Sequence, residues 1–441
     1  MDEESLRTSH DLLSFIAASP TAFHAVREQR TVLEDADFTF LPESSKWRVE
    51  RGGRYYTIRN GSSIVALSVG KHVTNPQFLI AASHTDSPMF KIKAHAQTSG
   101  PLGYAGIDTE VYGGMIDRTW LDRPLTVAGR VLVKDDAGIR SHLICPNKDL
   151  LLIPSLAIHL NRSVNEKGAI DRKCDIRPLL SAGLLEAGSF DRLIASEVGV
   201  EPEEVLGRDL FVVNRQQGVV WGAANEFVSA PRLDDLQCAF SSLRAFAETR
   251  NDSAIAVHAC FDSEEVGSGT MQGAQSTFLP DVLRRVCAGL GMRREEYFRA
   301  LARSFMVSCD NAQALHPNHP ELYDEENRVR MNGGVVIKEA ANQKYATDGL
   351  SRAVFARICE RAGVPTQAFA NRSDIAGGST LGNLAMRQAS MHTVDVGLAQ
   401  LAMHSAYETA GARDTSYLIA ALKAFFASTL EFDGEGNVSM G

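Results

Sequence analysis

Residues 255–265 read Ile255-Ala256-Val257-His258-Ala259-Cys260-Phe261-Asp262-Ser263-Glu264-Glu265, an apolar run that ends abruptly in polar residues. Three further apolar runs end in the same way: Phe78 to Ala82 before Ser83-His84-Thr85-Asp86, Phe305 to Cys309 before Asp310-Asn311, and Val335 to Ile337 before Lys338. Short continuous apolar runs are typical of strands that are buried on both faces of a sheet. Ligands of open α/β sheets bind beyond the carboxyl ends of the strands, so these four polar ends predict one common site.

The composition excludes several classes of protein. Among the 441 residues, 44% are hydrophobic and 22% are charged, which is ordinary for a globular chain. The net charge of −9 gives no basic surface for nucleic acid. No apolar run reaches the ~18 residues of a membrane helix. The acidic N-terminus carries no secretion signal, and the seven dispersed cysteines form no CxxC pair, so we expect a cytoplasmic protein.

The chain also divides into two parts by its pattern. Short apolar runs alternate with helical stretches along much of the sequence, which predicts an α/β fold. Residues 94–230 differ, because they contain glycine-rich turns and alternating strands such as Leu125 to Val133. We therefore expect residues 94–230 to be an inserted second domain, while residues 1–93 and 231–441 form the first.

His84 and Asp86 are the first candidates for chemistry, since they follow a buried strand directly. A histidine that binds a metal needs an acceptor on its second ring nitrogen, and a nearby carboxylate is the usual partner. A single histidine at such a position is more often a core or turn residue. The pair alone therefore does not decide between the two interpretations.

Two pairs of adjacent acids are the next candidates. Glu264 and Glu265 fit a solvated turn, but at the mouth of a buried strand one acid can bind a metal while the other acts as general base toward a metal-bound water. Asp234 and Asp235 precede a helical stretch, where acids favour the cap and the helix dipole. The alternative is a carboxylate that bridges two metal ions about 3.5–4 Å apart.

The remaining candidates are an aspartate and four histidines. Asp310 follows an apolar run, and His404 follows another at a short distance. His316 and His319 stand in a loop with two prolines, where they are more often turn residues than ligands. His159 lies in the predicted insertion, so it would serve the same site only if the insertion folds over it or belongs to another subunit.

Each candidate has an ordinary structural explanation, but the whole set favours a metal site. Together the candidates supply two imidazoles and several carboxylates, from His84, Asp234, Glu264, Glu265, Asp310 and His404. Mixed nitrogen and oxygen ligands suit Zn2+, although Mn2+ or Co2+ can occupy similar sites. Two zinc ions bridged by an aspartate are a hydrolytic arrangement.

At this point the sequence resembles the aspartyl aminopeptidase family of dinuclear zinc exopeptidases over nearly the whole chain. The motifs that carry the resemblance are Ser19-Pro20-Thr21-Ala22-Phe23-His24, Ser83-His84-Thr85-Asp86-Ser87-Pro88, Leu156-Ala157-Ile158-His159-Leu160-Asn161-Arg162, Arg232-Leu233-Asp234-Asp235, Asp262-Ser263-Glu264-Glu265-Val266-Gly267-Ser268, Ser308-Cys309-Asp310-Asn311-Ala312, Asn371-Arg372-Ser373-Asp374, Gly377-Gly378-Ser379-Thr380-Leu381-Gly382 and Met403-His404-Ser405. The resemblance implies a mixed central sheet with helices on both faces, and an inserted β-rich dimerisation domain.

The resemblance also implies a role for each candidate metal ligand. His84 and Asp310 would hold one zinc ion, while Glu265 and His404 would hold the other. Asp234 would bridge the two ions.

Three further residues receive roles from the resemblance. Glu264 would be the general base, and Asp86 would orient the neighbouring histidine ligand. His159 would reach from the insertion of a neighbouring subunit to steady the tetrahedral intermediate, or would itself bind a metal. One position departs from the family, because Asp235 stands where asparagine is common. We expect Asp235 to point into hydrogen bonds at the helix start.

The implied activity is removal of the N-terminal residue from peptide substrates, with a preference for Asp or Glu. An acidic substrate side chain needs a cation in its pocket, and Lys338 is our candidate, with Lys344 and Arg372 behind it. The resemblance further implies a homo-oligomer, a tetrahedral dodecamer built from dimers.

Two alternative functions stay open at the level of sequence. The same two-metal chemistry would serve a deacylase that hydrolyses N-acyl amino acids. A scaffold or cargo protein could keep the fold and the assembly without turnover, although such a protein would be expected to lose at least one site residue.

Overall fold

The computed structural model describes residues 1–441. Its α-helices are α1 (Glu3–Ala18), α2 (Ala22–Asp35), α3 (Ser189–Val198), α4 (Leu233–Glu248), α5 (Phe278–Gly289), α6 (Arg294–Ala302), α7 (Gly349–Arg361), α8 (Leu381–Met386) and α9 (Asp414–Ala427). Short 3-10 segments lie at Pro101–Gly103, Asp117–Trp120, Pro202–Glu204, Glu264–Val266 and Pro320–Leu322. None of the helices combines the length and the apolar character needed to cross a lipid bilayer.

The strands are short and are distributed along the whole chain. They are β1 (Thr39–Phe40), β2 (Arg54–Arg59), β3 (Ser63–Val69), β4 (Phe78–His84), β5 (Met89–Ser99), β6 (Tyr104–Tyr112), β7 (Leu125–Asp135), β8 (Gly138–Ile144), β9 (Leu179–Ala182), β10 (Val205–Asn214), β11 (Val219–Trp221), β12 (Phe227–Ala230), β13 (Ile255–Phe261), β14 (Phe305–Cys309), β15 (Ala312–Gln313), β16 (Val335–Glu339), β17 (Thr366–Ala370), β18 (His392–Gly397), β19 (Ala399–Leu401), β20 (Glu408–Gly411), β21 (Leu430–Phe432) and β22 (Val438–Met440).

A nine-stranded mixed sheet forms the centre of the fold, in the order β1-β2-β3-β13-β4-β14-β18-β16-β17. Strands β13, β4, β14 and β18 are parallel, whereas β3 runs antiparallel to β13. All four apolar runs named above are strands of this sheet. The predicted mixed sheet is therefore confirmed.

The central strands are buried on both faces because helices cover both sides of the sheet. Along β13, Ala256 and Cys260 belong to one apolar core, while Val257 and Ala259 belong to the other. Helices α1, α2, α4, α7 and α9 contribute to the first core, and α5, α6 and α8 contribute to the second. This arrangement explains the unbroken apolar runs and confirms the prediction of helices on both faces.

Strand β16 differs from the expectation in its direction. It pairs antiparallel with β18, so its carboxyl end does not lie at the edge where β4, β13 and β14 end. Ile337 and Cys309 nevertheless pair with Val396 from its two sides. Lys338 therefore lies beside the end of β14, and it approaches the common edge from a strand of opposite direction.

A second, six-stranded sheet has the order β8-β7-β10-β5-β6-β9 and a separate apolar core. It extends from Met89 to Asn214, so the predicted limits 94 and 230 differ from those of the sheet. The limit at 94 falls within β5. Strands β11 and β12 belong instead to a five-stranded sheet, since β12 pairs with β20 near the end of the chain.

Candidate metal centre

His84 is the last residue of β4, and Asp86 contacts its ring at Nδ1. The Nδ1 atom lies 3.1 Å from the carbonyl oxygen of Asp86 and 3.4 Å from its Oδ1. The Nε2 atom lies 3.5 Å from Oδ1 of Asp234. Because the side chain is only 1% exposed and Nδ1 is occupied by acceptors, Nε2 is the nitrogen available to a metal.

Asp234 lies at the start of α4 and faces two histidines with its two carboxylate oxygens. Oδ1 is 3.5 Å from Nε2 of His84, and Oδ2 is 3.5 Å from Nε2 of His404. Burial raises the pKa of Asp234, but the attraction of the two neighbouring histidines outweighs it and lowers the pKa below its usual value. One ionised carboxylate between two imidazoles is the arrangement expected of a bridging ligand.

His404 stands in the turn between β19 and β20, where its backbone is left-handed with φ of 66°. Its Nε2 lies 3.5 Å from Oε2 of Glu265, and its Nδ1 lies 2.7 Å from the carbonyl oxygen of Gly114. Burial opposes the charged imidazolium, but Asp234 and Glu265 raise the pKa of His404 to about 10. The ring is thus held at Nδ1 and directed at carboxylates through Nε2.

Asp310 follows β14 and lies beside a buried lysine. The Nζ of Lys338 donates a hydrogen bond of 2.7 Å to the carbonyl oxygen of Asp310 and lies 3.6 Å from its Oδ2. Lys338 is 2% exposed; burial disfavours its charge, yet the attraction of Asp310 raises its pKa. The ammonium group therefore balances part of the negative charge of the cluster.

Asp235 is fully buried and does not point into the start of its own helix, contrary to our expectation. Its Oδ2 accepts a hydrogen bond of 3.1 Å from the backbone N–H of His84, and it lies 4.0 Å from Nε2 of that residue. The reason is a non-helical backbone at Asp234 and Asp235, which turns both carboxylates toward the strand ends.

Glu264 lies in the 3-10 segment after β13, and its backbone N–H donates to Oδ1 of Asp86 at 3.1 Å. Its carboxylate is part of a group with His84 and Glu265 whose ligand atoms lie within 4.8 Å of one another. Burial raises the pKa of Glu264 to about 8. A carboxylate at this position, beside a cluster of candidate ligands, suits a general acid or base.

The residues of this cluster fit divalent cations. Two further groups meet the same 4.8 Å limit, one formed by His84, Asp234, Asp235 and Asp310, and the other by Asp234, Glu265 and His404. Three buried carboxylate oxygens, on Asp234, Asp235 and Glu265, have no hydrogen-bond partner. Buried carboxylates without partners are costly unless a cation compensates them. The shared Asp234 joins the two groups.

Two residues that support the cluster were missed by the sequence analysis. Glu408 is 1% exposed, and it accepts hydrogen bonds from the backbone N–H groups of Asp234 at 3.0 Å and His404 at 2.7 Å. Tyr112 donates its hydroxyl to Oδ2 of Asp86 at 2.7 Å. Nothing in the sequence marks either residue, although Glu408 follows His404 by only four positions.

Several predicted site residues lie outside this cluster. His159 is exposed, in a stretch between β8 and β9 without helix or strand. Lys344 donates from Nζ to the carbonyl oxygen of Gly377 at 2.9 Å. Arg372 forms an ion pair of 2.6 Å with Asp374.

His316 and His319 are also separate from the cluster. Their rings are 5.1 Å apart, and His319 pairs with Glu321 on the surface. Neither belongs to a group of candidate metal ligands. The interpretation of these two histidines as turn residues therefore agrees with their position.

The family model described as "Aminopeptidase I zinc metalloprotease (M18)" matches residues 15–426. The chain belongs to the M18 family of aminopeptidases. Among relatives, the probable M18 family aminopeptidase 2 of Clostridium novyi (strain NT) is 42% identical over 433 residues, 96% of this chain and 99% of that protein. The predicted family and the predicted enzyme class, a metal-dependent aminopeptidase, are therefore confirmed.

Several solved structures resemble the whole fold. A chain in the structure titled "Cryo-EM structure of the Ape4 and Nbr1 complex" has a TM-score of 0.93 and 34% identity, covering 97% of this chain and 87% of that one. The mApe1 dodecamer of S. cerevisiae has a TM-score of 0.85 and 27% identity, covering 96% of this chain and 97% of that chain. The α/β fold is thus shared along nearly the full length.

Proposed function

We propose that this M18 aminopeptidase removes N-terminal Asp or Glu residues from peptides with the aid of two zinc ions. The observation that carries the proposal is the placement of Asp234, whose two oxygens each lie 3.5 Å from a different histidine. The general base Glu264 lies directly beside this pair of groups.

Two sets of side chains would hold the two ions. His84 and Asp310 would bind one ion, Glu265 and His404 would bind the other, and Asp234 would bridge them. When bound, such a pair acts as a Lewis acid and lowers the pKa of water from ~15.7 toward ~7. Nitrogen and oxygen ligands favour Zn2+, and Mn2+ or Co2+ can also be bound by such a set.

Glu264 would act as the general base. Its position is fixed because its backbone N–H is bound to the buried carboxylate of Asp86. Nearby cations favour the ionised form of a carboxylate, so Glu264 would accept a proton from the attacking water. The protonated Glu264 would then deliver that proton to the nitrogen of the amine that leaves.

The preference for acidic residues would depend on Lys338. Its ammonium group donates to the carbonyl oxygens of Asp310 and Asn311, and its positive charge would attract a substrate carboxylate at this edge of the sheet. Lys344 and Arg372 line an open cavity of about 800 Å³ together with Asn371. These two cations would support the acidic preference from farther away.

The chain would function as a homo-oligomer, a tetrahedral dodecamer built from dimers of the inserted domain. One of the related structures is described as a dodecamer. His159 stands exposed on the insertion, as a residue that serves a neighbouring subunit must. There it would donate to the oxyanion of the tetrahedral intermediate or bind a metal.

Hydrolysis of aspartyl-, glutamyl- and leucyl-anilides by the purified protein tests the proposal, before and after chelation and zinc restoration. We expect acid-selective cleavage that chelation removes and zinc restores. Metal-dependent cleavage that favours Leu would refute the acidic preference but keep the metal chemistry. Absence of cleavage by metal-loaded dodecamer, with cleavage of N-acyl amino acids instead, would refute the peptidase assignment.

A further inference from the structure

The six-stranded sheet reaches the candidate metal centre through the end of one strand. Strand β6 ends at Tyr112, and Tyr112 Oη donates a hydrogen bond of 2.7 Å to Oδ2 of Asp86. Burial and the nearby Asp86 raise the pKa of Tyr112, so its hydroxyl stays a protonated donor at neutral pH. The contact therefore joins a neutral donor to a buried carboxylate.

Asp86 connects this hydroxyl to three residues of the site. Its Oδ1 accepts from the backbone N–H of Glu264 at 3.1 Å, and its Oδ2 accepts from that of Glu265 at 3.2 Å. The same Oδ1 lies 3.4 Å from Nδ1 of His84. A shift of the Asp86 carboxylate would consequently move a candidate ligand of each ion and the candidate base.

The residues after Tyr112 contact the other histidine ligand. The carbonyl oxygen of Gly114 accepts from Nδ1 of His404 at 2.7 Å, and the backbone N–H of Ile116 donates to the carbonyl oxygen of His404 at 2.9 Å. Gly113, which precedes Gly114, has φ of 79°, and a Cβ atom there would lie 3.1 Å from Cβ of Glu265. The segment 112–116 thus fits closely around His404 and Glu265.

We propose that Tyr112 is a positioning residue for the metal centre, through which the inserted sheet of the same chain sets the geometry of the metal ligands. The inference rests on the proposed metal chemistry at this site. The acceptor that orients a histidine ligand must itself be oriented, and loss of such partners costs about 10–100-fold in metal affinity or activity.

The test uses the full-length protein with Tyr112→Phe, because phenylalanine keeps the edge contact of the ring with Phe211 at 5.7 Å and removes only the hydroxyl. The matched control is Tyr104→Phe on the same strand, whose exposed hydroxyl has no hydrogen bond in the fold. Zinc affinity is measured by competition with a chromophoric chelator, and the ligand geometry is followed by the absorption spectrum of the cobalt-substituted protein.

We expect Tyr112→Phe to weaken zinc binding by about 10–100-fold and to alter the cobalt spectrum, while Tyr104→Phe behaves like wild type. Wild-type affinity and an unchanged spectrum in Tyr112→Phe would overturn the inference. Equal losses in both variants would also overturn it, since the effect would then belong to the sheet and not to the hydroxyl. If wild-type protein binds zinc but cleaves no peptide, the proposed function fails while this test still stands.

Discussion

The strand ends of the nine-stranded sheet and the segment 112–116 of the six-stranded sheet contact the same cluster, but they contribute different groups. The strand ends provide titratable side chains such as His84, Glu265 and Asp310. The segment provides a hydroxyl that donates to Asp86, a carbonyl oxygen that accepts from Nδ1 of His404, and an N–H that donates to the carbonyl oxygen of His404. The candidate metal ligands are therefore visible as residue types in the sequence, whereas the backbone groups that hold them are ones that any residue offers.

The substitution Glu264→Gln tests the chemical role of the strand ends with the largest expected effect. The amide keeps the size of the side chain but cannot accept a proton, so we expect kcat to fall by about 10²–10⁴-fold. Zinc content and assembly should stay unchanged. Stopped or continuous anilide assays measure the loss, and a residual kcat above a tenth of wild type would contradict the assignment.

Asp234→Asn and Asp235→Asn test which of the two adjacent aspartates bridges the metal ions. Loss of a residue that only orients a metal ligand typically weakens metal binding by ~10–100-fold. We expect Asp234→Asn to weaken zinc binding by more than this, because it alters a proposed direct ligand. Asp235→Asn should change it little, since an amide oxygen can still accept from the N–H of His84. Isothermal titration with zinc compares the two variants, and the reverse order would show that Asp235 is the bridge.

Glu408→Gln tests whether a residue outside the six-stranded sheet supports the cluster as strongly as Tyr112 does. The carboxylate accepts from the N–H groups of both Asp234 and His404, and an amide can serve only one of them. We expect a loss of about 10–100-fold in zinc affinity and about 1–3 kcal/mol in the free energy of unfolding. Chelator competition and denaturant unfolding measure the two effects, and wild-type values in both would exclude a supporting role.

Lys338→Ala tests the antiparallel strand β16. The lysine would bind the acidic side chain of the substrate, and a hydrogen bond to a charged group is worth ~1.5–3 kcal/mol. Its loss should therefore raise KM for Asp and Glu substrates by roughly 10–100-fold more than KM for Leu substrates. A common fall in kcat is also expected, because Nζ is bound to Asp310. Steady-state kinetics on the three anilides decide the matter, and equal KM changes would refute the acidic pocket.

The smallest effect is expected from Gly113→Ala, with Gly114→Ala as its control. Alanine at 113 would adopt a left-handed backbone and crowd Glu265, which costs about 1–2 kcal/mol of stability. Alanine at 114 meets only an ordinary contact of 3.7 Å with Nδ1 of His404. Thermal unfolding compares the two variants, and equal stabilities would contradict the close fit of this segment.

Much of the nine-stranded sheet could be predicted because burial on both faces leaves an unbroken apolar run in the sequence. Strand direction leaves no such signal, so β16 was expected to end at the same edge as β14. Strand β5 begins at Met89, before the glycine-rich turns on which the predicted limit at 94 depends. No motif marks Tyr112, whose partner Asp86 lies 26 residues away, or the contact of Glu408 with Asp234, which spans 174 residues.

The most direct test of the central claim is the zinc stoichiometry of the chelator-treated, full-length protein, measured by equilibrium dialysis and elemental analysis. A cluster in which Asp234 bridges two ions predicts two zinc ions per chain, with both lost together in Asp234→Asn. One zinc ion per chain at saturation, or no zinc bound at all, would contradict the dinuclear centre.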